Sequence, residues 1–275
     1  MVSSQLRSRT RRLTHYKPFL TGLLILAALL VFSIWWRATP SGILGKAGAA
    51  AYAVCHRIAS HSFSIAGQQL PLCARCTGMY LGALLGILYH LRLGKRSGMP
   101  PLKISLVLGA FLLLFAVDGI NSYLHFFPGA PGLYPSQNWL RLASGTGVGL
   151  GIAAVLMPVA NQMFWQEADP RPALTGWRQF LPLLGLAALL DLIVLSQLPF
   201  LLYPLALLSA GAIFLVLSIV YTLVWTMLFK RENRFQRYRD LFVPWLAGFL
   251  VAMVQIGGFD ALRFWLTGTW AGFNL

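Results

Sequence analysis

Charge is what this chain has least of. Charged residues make up 11% of its 275 positions, where a soluble globular domain carries about 25%. So few charges exclude a water-exposed surface wrapped around one core, and point to lipid as the main solvent. Cysteine is nearly as scarce. All three, Cys55, Cys73 and Cys76, fall within the single stretch "CHRIASHSFSIAGQQLPLCARC", which confines thiol chemistry to one place. Other signals are missing as well. The glycines of "SGTGVGLGIAA" (Ser144–Ala154) lack the preceding strand and the following Lys-Ser/Thr of a phosphate-cradling loop, so that reading fails. No small-x-small cleavage site ends the first apolar run, so Phe19–Trp36 is expected to be a retained anchor rather than a signal peptide. No internal repeat of useful length is present.

Apolar sequence is what remains, at 57% of the chain. Seven runs are long enough at a helical rise of about 1.5 Å per residue to cross about 30 Å of hydrocarbon. They are Pro18–Trp36, Cys73–Leu91, Leu102–Asn121, Trp139–Phe164, Phe180–Pro199, Leu201–Phe229 and Leu241–Leu266. Pro199 and Pro204 argue for a turn between the fifth and sixth runs rather than one long helix. The fold class expected is all-α: a polytopic transmembrane helical bundle of about seven spans.

The net charge of +15 then has a topological explanation. If the loops alternate, 16 of the 22 basic residues fall on one side, including Arg7, Arg9, Arg11, Arg12, Lys17, Lys95 and Lys230. The other side receives Arg37, Lys46, Arg57, Arg75, Arg141 and Arg263. The positive-inside rule places the basic side in the cytoplasm. The expectation is a multi-pass plasma-membrane protein with a cytoplasmic N-terminus and an extracytoplasmic C-terminus. Its partner is the lipid bilayer, and no nucleic acid is needed to account for the charge.

Under that topology the cysteines lie at the outer mouth of the second span. Pro71 can begin a helix, putting Cys73 and Cys76 in the first turn, three residues apart on one face. Free N–H groups, the helix dipole and the nearby Arg75 favour thiolates there. Two chemistries use such thiolates. Cys55, Cys73, Cys76 and His56 (or His61) could ligate zinc or another thiophilic metal ion. Alternatively, Cys73–Cys76 could be a catalytic redox pair with Cys55 as resolving thiol, in a membrane thiol oxidoreductase passing electrons toward a quinone. The cysteines could also be purely structural, as a disulfide or as small packing residues.

Cys55–Gly86 resembles the signature of a prokaryotic predicted-membrane-protein family, domain of unknown function 2085. The likeness lies in a Cys-His start, then Ser-Phe, then "PLCARCTG" followed by tyrosine and glycine. A second block, "VDGIN" (Val117–Asn121) with "NWLRLASGTGVGLG" (Asn138–Gly151), extends it. His61 stands where that pattern usually has arginine. The resemblance implies a core over 55–151, its third span continuing to about 164. It is preceded by a basic N-terminus and anchor (1–54) and followed by a loop and three further spans (165–275). It implies no activity.

Several polar residues lie where lipid would penalise them. Asp118, Asn121, Asn138, Arg141, Asp260 and Arg263 all fall at the outer level. One reading ties helix ends together through Asp118–Arg141 and Asp260–Arg263 ion pairs. The other makes Arg141 an anion binder or carbonyl polariser and Asp118 a proton carrier, both catalytic. Asp191 lies mid-span in "AALLDLIVL" and needs a partner from another helix or water. Small residues in "TGMYLGALLG" and "SGTGVGLG" predict that the second and fourth spans pack together.

Overall fold

Glycine-for-glycine packing of two helices organises the molecule. In the computed structural model, which describes residues 2–65, 67–127 and 132–272, helix α3 (Ala74–Arg92) lies against α5 (Asn138–Phe164). A Cβ on Gly78 would stand 2.2 Å from the Leu142 carbonyl oxygen, and one on Gly82 2.4 Å from that of Thr146. The reverse fit is as close, with Gly145 against the Arg75 carbonyl (2.2 Å) and Gly149 against that of Met79 (2.1 Å). Only glycine lets the two backbones approach so far, as at small-residue contacts between membrane helices. The expected pairing of the second and fourth spans is therefore present.

Around this pair run α1 (Val2–Ala38), the short α2 (Ile43–Tyr52), α4 (Leu102–Leu124), α6 (Trp177–Leu195), α7 (Pro199–Leu228) and α8 (Phe242–Thr267). The protein is an all-helical membrane bundle. Among the described residues, six helical segments are long and apolar enough to cross a membrane: Pro18–Ala38, Leu102–Leu124, Asn138–Phe164, Trp177–Leu195, Pro199–Leu228 and Tyr238–Thr267. The remaining candidate, α3, is less apolar because it carries Arg75, Thr77, His90 and Arg92. Enclosure by its neighbours compensates, since Thr77, Leu81, Ala83, Ile87 and His90 are all buried. Outward faces are apolar instead: Leu102, Leu106, Leu113, Leu186, Leu189 and Leu192 are exposed, which suits lipid rather than water. The turn expected between the fifth and sixth spans occupies 196–198. Gln197 is left-handed there (φ 52°), and Pro199 opens α7 at a position that needs no N–H.

Successive long helices alternate in direction, so the loops sort to two ends. At one end, strands β3 (Arg96–Gly98) and β4 (Asp169–Pro172) pair in parallel. Asn161 and Gln162 donate to the Arg96 and Ser97 carbonyls (2.7 and 2.6 Å). The Lys95 ammonium sits 4.1 Å above the Trp165 ring. Asn233 and Phe235 donate their N–H groups to the Met163 and Phe164 carbonyls. The side chains of Arg7, Arg9, Arg11, Arg12 and Lys17, and Leu275, lie outside the described residues. The other end holds the cysteines and a small antiparallel hairpin, β1 (Ser64–Ile65) with β2 (Gln68–Gln69).

Candidate functional site

The chain enters α3 through buried Leu72 and Cys73. Cys73 is not inside the first turn, as its spacing suggested. It is the N-cap, with extended backbone, and its carbonyl accepts the Thr77 N–H at 2.8 Å. Cys76 follows in the first turn. Cys55 comes from the opposite direction, three residues past the end of α2. The three sulfurs lie within 4.8 Å of one another, and all three thiols are free. Two backbone N–H groups point at the Cys55 sulfur, from Cys73 and Arg57, each at 3.4 Å. Arg57 aims its N–H by adopting a left-handed backbone (φ 53°), a conformation unfavourable for a side chain of that kind. The Cys73 and Cys76 thiols also turn to Cys55. Together with the two N–H groups they hold its pKa far below the usual thiol value, against the opposing effect of burial. Trp35, Ala51, Leu72, Ile213, Met253 and Ile256 wall the cluster.

His56 stands outside this group of three. Its Nδ1 accepts the Ile58 N–H (3.1 Å), and its ring meets that of His61 edge-on at 5.6 Å. His61 in turn stacks on Phe126 at 5.5 Å. Burial lowers the pKa of both imidazoles, that of His61 to about 4, with the Arg141 charge adding to the effect on His61. Both are neutral at pH 7, with Nδ1 of His56 already engaged.

Spacing alone did not reveal what fixes Cys55. The Arg263 guanidinium, from α8, donates to the carbonyls of Tyr52, Cys55 and His56 at 2.7, 2.6 and 3.2 Å. It lies 3.9 Å from the Tyr52 ring centroid. One cation thus caps the C-terminal carbonyls of α2 and clamps the loop that carries Cys55. Arg57 donates to the Trp270 carbonyl at 3.0 Å, and the Tyr52 hydroxyl to that of Thr269 at 2.7 Å. Asp260, one turn before Arg263, accepts the Trp35 indole N–H at 2.8 Å, linking α8 to α1.

The Asp118–Arg141 ion pair expected from the span count is replaced by another. Asp118, fully buried, pairs with Arg75 and accepts the Tyr134 hydroxyl at 3.1 Å. The reason is helical geometry. Arg75 lies about 100° around α3 from Cys76, so it faces α4 while the thiols face α2 and α8. Arg141 is held by Asn138 Oδ1 at 2.7 Å and Ser122 Oγ at 3.4 Å. Asn121 closes the 132–134 segment onto α4, accepting the Leu133 N–H and donating to the Tyr134 carbonyl. Asp191 finds its partner in another helix, accepting the Thr146 hydroxyl at 2.6 Å.

Comparison with known proteins agrees with this core. The profile of a family described as predicted membrane protein, domain of unknown function 2085, matches residues 55–155. An uncharacterised protein of Methanothermobacter thermautotrophicus is 33% identical over 102 residues, which cover 37% of this chain and 83% of that one. An uncharacterised protein of Methanocaldococcus jannaschii is 30% identical over 115 residues, covering 42% and 68% respectively. No solved structure matches. The matched region contains the three cysteines, both site histidines, Asp118 and Arg141. It leaves out Arg263.

Proposed function

The chain belongs to the domain of unknown function 2085 family of predicted membrane proteins, and from that premise we propose that it is a metal-binding membrane protein. Cys55, Cys73 and Cys76 hold zinc or another thiophilic ion at the mouth of the bundle. The observation that carries this is convergence on the Cys55 sulfur: two thiols and two backbone N–H groups meet there, in a set of three sulfurs within 4.8 Å of one another. Sulfurs bonded to one tetrahedral zinc at about 2.3 Å stand about 3.8 Å apart, so this set needs little adjustment. N–H donors to a sulfur stabilise its ionised, ligating form. His56, next to Cys55 in sequence, would have to turn toward the three sulfurs to supply a fourth ligand, its Nδ1 being engaged by the Ile58 N–H.

A thiol oxidoreductase delivering electrons to a quinone would use Cys73 and Cys76 as a cycling pair. The engagement of both with Cys55 favours the three-sulfur reading, and one preparation distinguishes the two. Protein purified in detergent without added metal should carry about one thiophilic ion per chain. Its thiol count should be the same in oxidising and reducing buffer until a chelator is added. Metal-free protein whose Cys73 and Cys76 cycle between dithiol and disulfide would establish the redox reading instead. Metal-free protein with three unreactive thiols would leave the cysteines as packing residues.

The basic asymmetry of the loops supports a cytoplasmic N-terminus in the plasma membrane, with the thiol mouth outside. A reporter fused after Leu275 is expected to read extracytoplasmic, and one inserted within 230–240 cytoplasmic. Both on one side would contradict the seven-transit arrangement and remove the cysteines from the outer face.

A further inference from the structure

The polar cluster beside the thiols carries more positive charge than its own carboxylate can balance. Arg141 is only 3% exposed, yet among the described residues its guanidinium meets just two side-chain acceptors, the neutral Asn138 amide and Ser122 hydroxyl, and its buried Nε has no partner. Arg75 reaches the same Ser122 oxygen at 3.1 Å, and its buried Nε is also without a partner among the described residues. Two guanidinium groups therefore converge on one hydroxyl. Asp118, the carboxylate between α4 and α5, is already committed to Arg75 and Tyr134. An uncompensated charge removed from water is costly by several kcal/mol. Planar guanidinium groups with free N–H donors match the paired oxygens of an oxoanion.

We propose that Arg141, together with Arg75, binds one small oxoanion of the phosphate or carboxylate class between the outer ends of α4 and α5. Ser122 contributes its hydroxyl and Asp118 sets the orientation of Arg75. Arg141 contacts the anion. Asp118 is a positioning residue, and its negative charge limits the affinity of the site. This proposal does not depend on the metal reading, because none of its residues is a sulfur ligand.

Labelled inorganic phosphate, measured by equilibrium dialysis against full-length protein in neutral detergent, tests the proposal. One phosphate per chain should bind, both before and after chelator treatment. Arg141→Gln should weaken binding about ten-fold or more, the equivalent of one charge-assisted contact. Arg171→Gln, at the opposite end of the bundle, should not alter it. Asp118→Asn keeps an acceptor that orients Arg75 and removes the competing charge, so it should tighten binding. That variant also decides the matter if Arg141→Gln does not fold. Repeating the measurement in phosphatidylcholine nanodiscs with and without phosphatidylglycerol separates the sources, since a lipid headgroup in the site would compete with free phosphate. Three results would overturn the proposal. One is no phosphate bound by the wild type, and another is binding lost on chelation, which would place the anion on the metal. The third is phosphate affinity unchanged in a folded Arg141→Gln, which would place the anion elsewhere.

Discussion

Gly149→Leu is expected to abolish the folded bundle. A Cβ at position 149 would stand 2.1 Å from the Met79 carbonyl oxygen and 2.5 Å from the Ala83 nitrogen, and both are backbone atoms of the facing helix. Neither can rotate away, so α3 and α5 would have to separate. Separation would draw the N-terminus of α3, with Cys73 and Cys76, away from the rest of the mouth. Overpacking of a side chain against flexible neighbours costs about 1–3 kcal/mol. Contact with rigid backbone should exceed that and consume much of the stability of a marginally stable protein. Gly109→Leu provides the contrast, because nothing lies within 4 Å of a Cβ there. Detergent-solubilised yield and thermal midpoint should fall sharply for the first variant and stay near wild type for the second. Equal behaviour of the two would show that α3 and α5 do not pack as closely as described.

The second large effect concerns the order of importance among the thiols. Cys55→Ser should reduce bound metal more than Cys76→Ser does. Cys55 is where the Cys73 and Arg57 N–H groups point, and the ionised sulfur they stabilise is the one the other two thiols face. A serine hydroxyl titrates far above any physiological pH and is a poor donor to a thiophilic ion. Thiols bind metal as thiolates, so metal is held against competition from protons. Metal should therefore be released as the pH falls. Cys55→Ser, with one sulfur fewer, should release it at higher pH than wild type. Metal content against pH, by elemental analysis after desalting, measures both. Identical profiles for the Cys55 and Cys76 variants would remove the special place given to Cys55.

Much of this architecture was readable from hydropathy and small-residue spacing. Lipid imposes a strong length constraint on spanning segments, so apolar runs map closely onto helices, and the glycines of α3 and α5 announced their own contact. Even α3, the most polar of the candidates, is legible as the apolar run Cys73–Leu91. Pairings across the site were less legible. The reading that pairs Asp118 with Arg141 rests on a shared membrane level, but level says nothing about azimuth. Arg75 was read as a neighbour of the thiols because it is adjacent to Cys76 in sequence. On a helix adjacency means about 100° of rotation, and that was enough to send it to α4. The clamp by Arg263 left no local trace, since it joins residues more than 200 positions apart.

That clamp bears on the order in which the protein is made. Every cysteine has left the ribosome long before Arg263, which lies in α8. During translation the Cys55 loop therefore lacks this clamp until α8 inserts and the Arg263 guanidinium reaches the three carbonyls. A nascent chain halted after α7 would have all its sulfurs and none of the anchoring from α8. The mouth of the bundle is thus completed only once α8 is in place, and the geometry of Cys55 serves as a record that α8 has joined the helices before it.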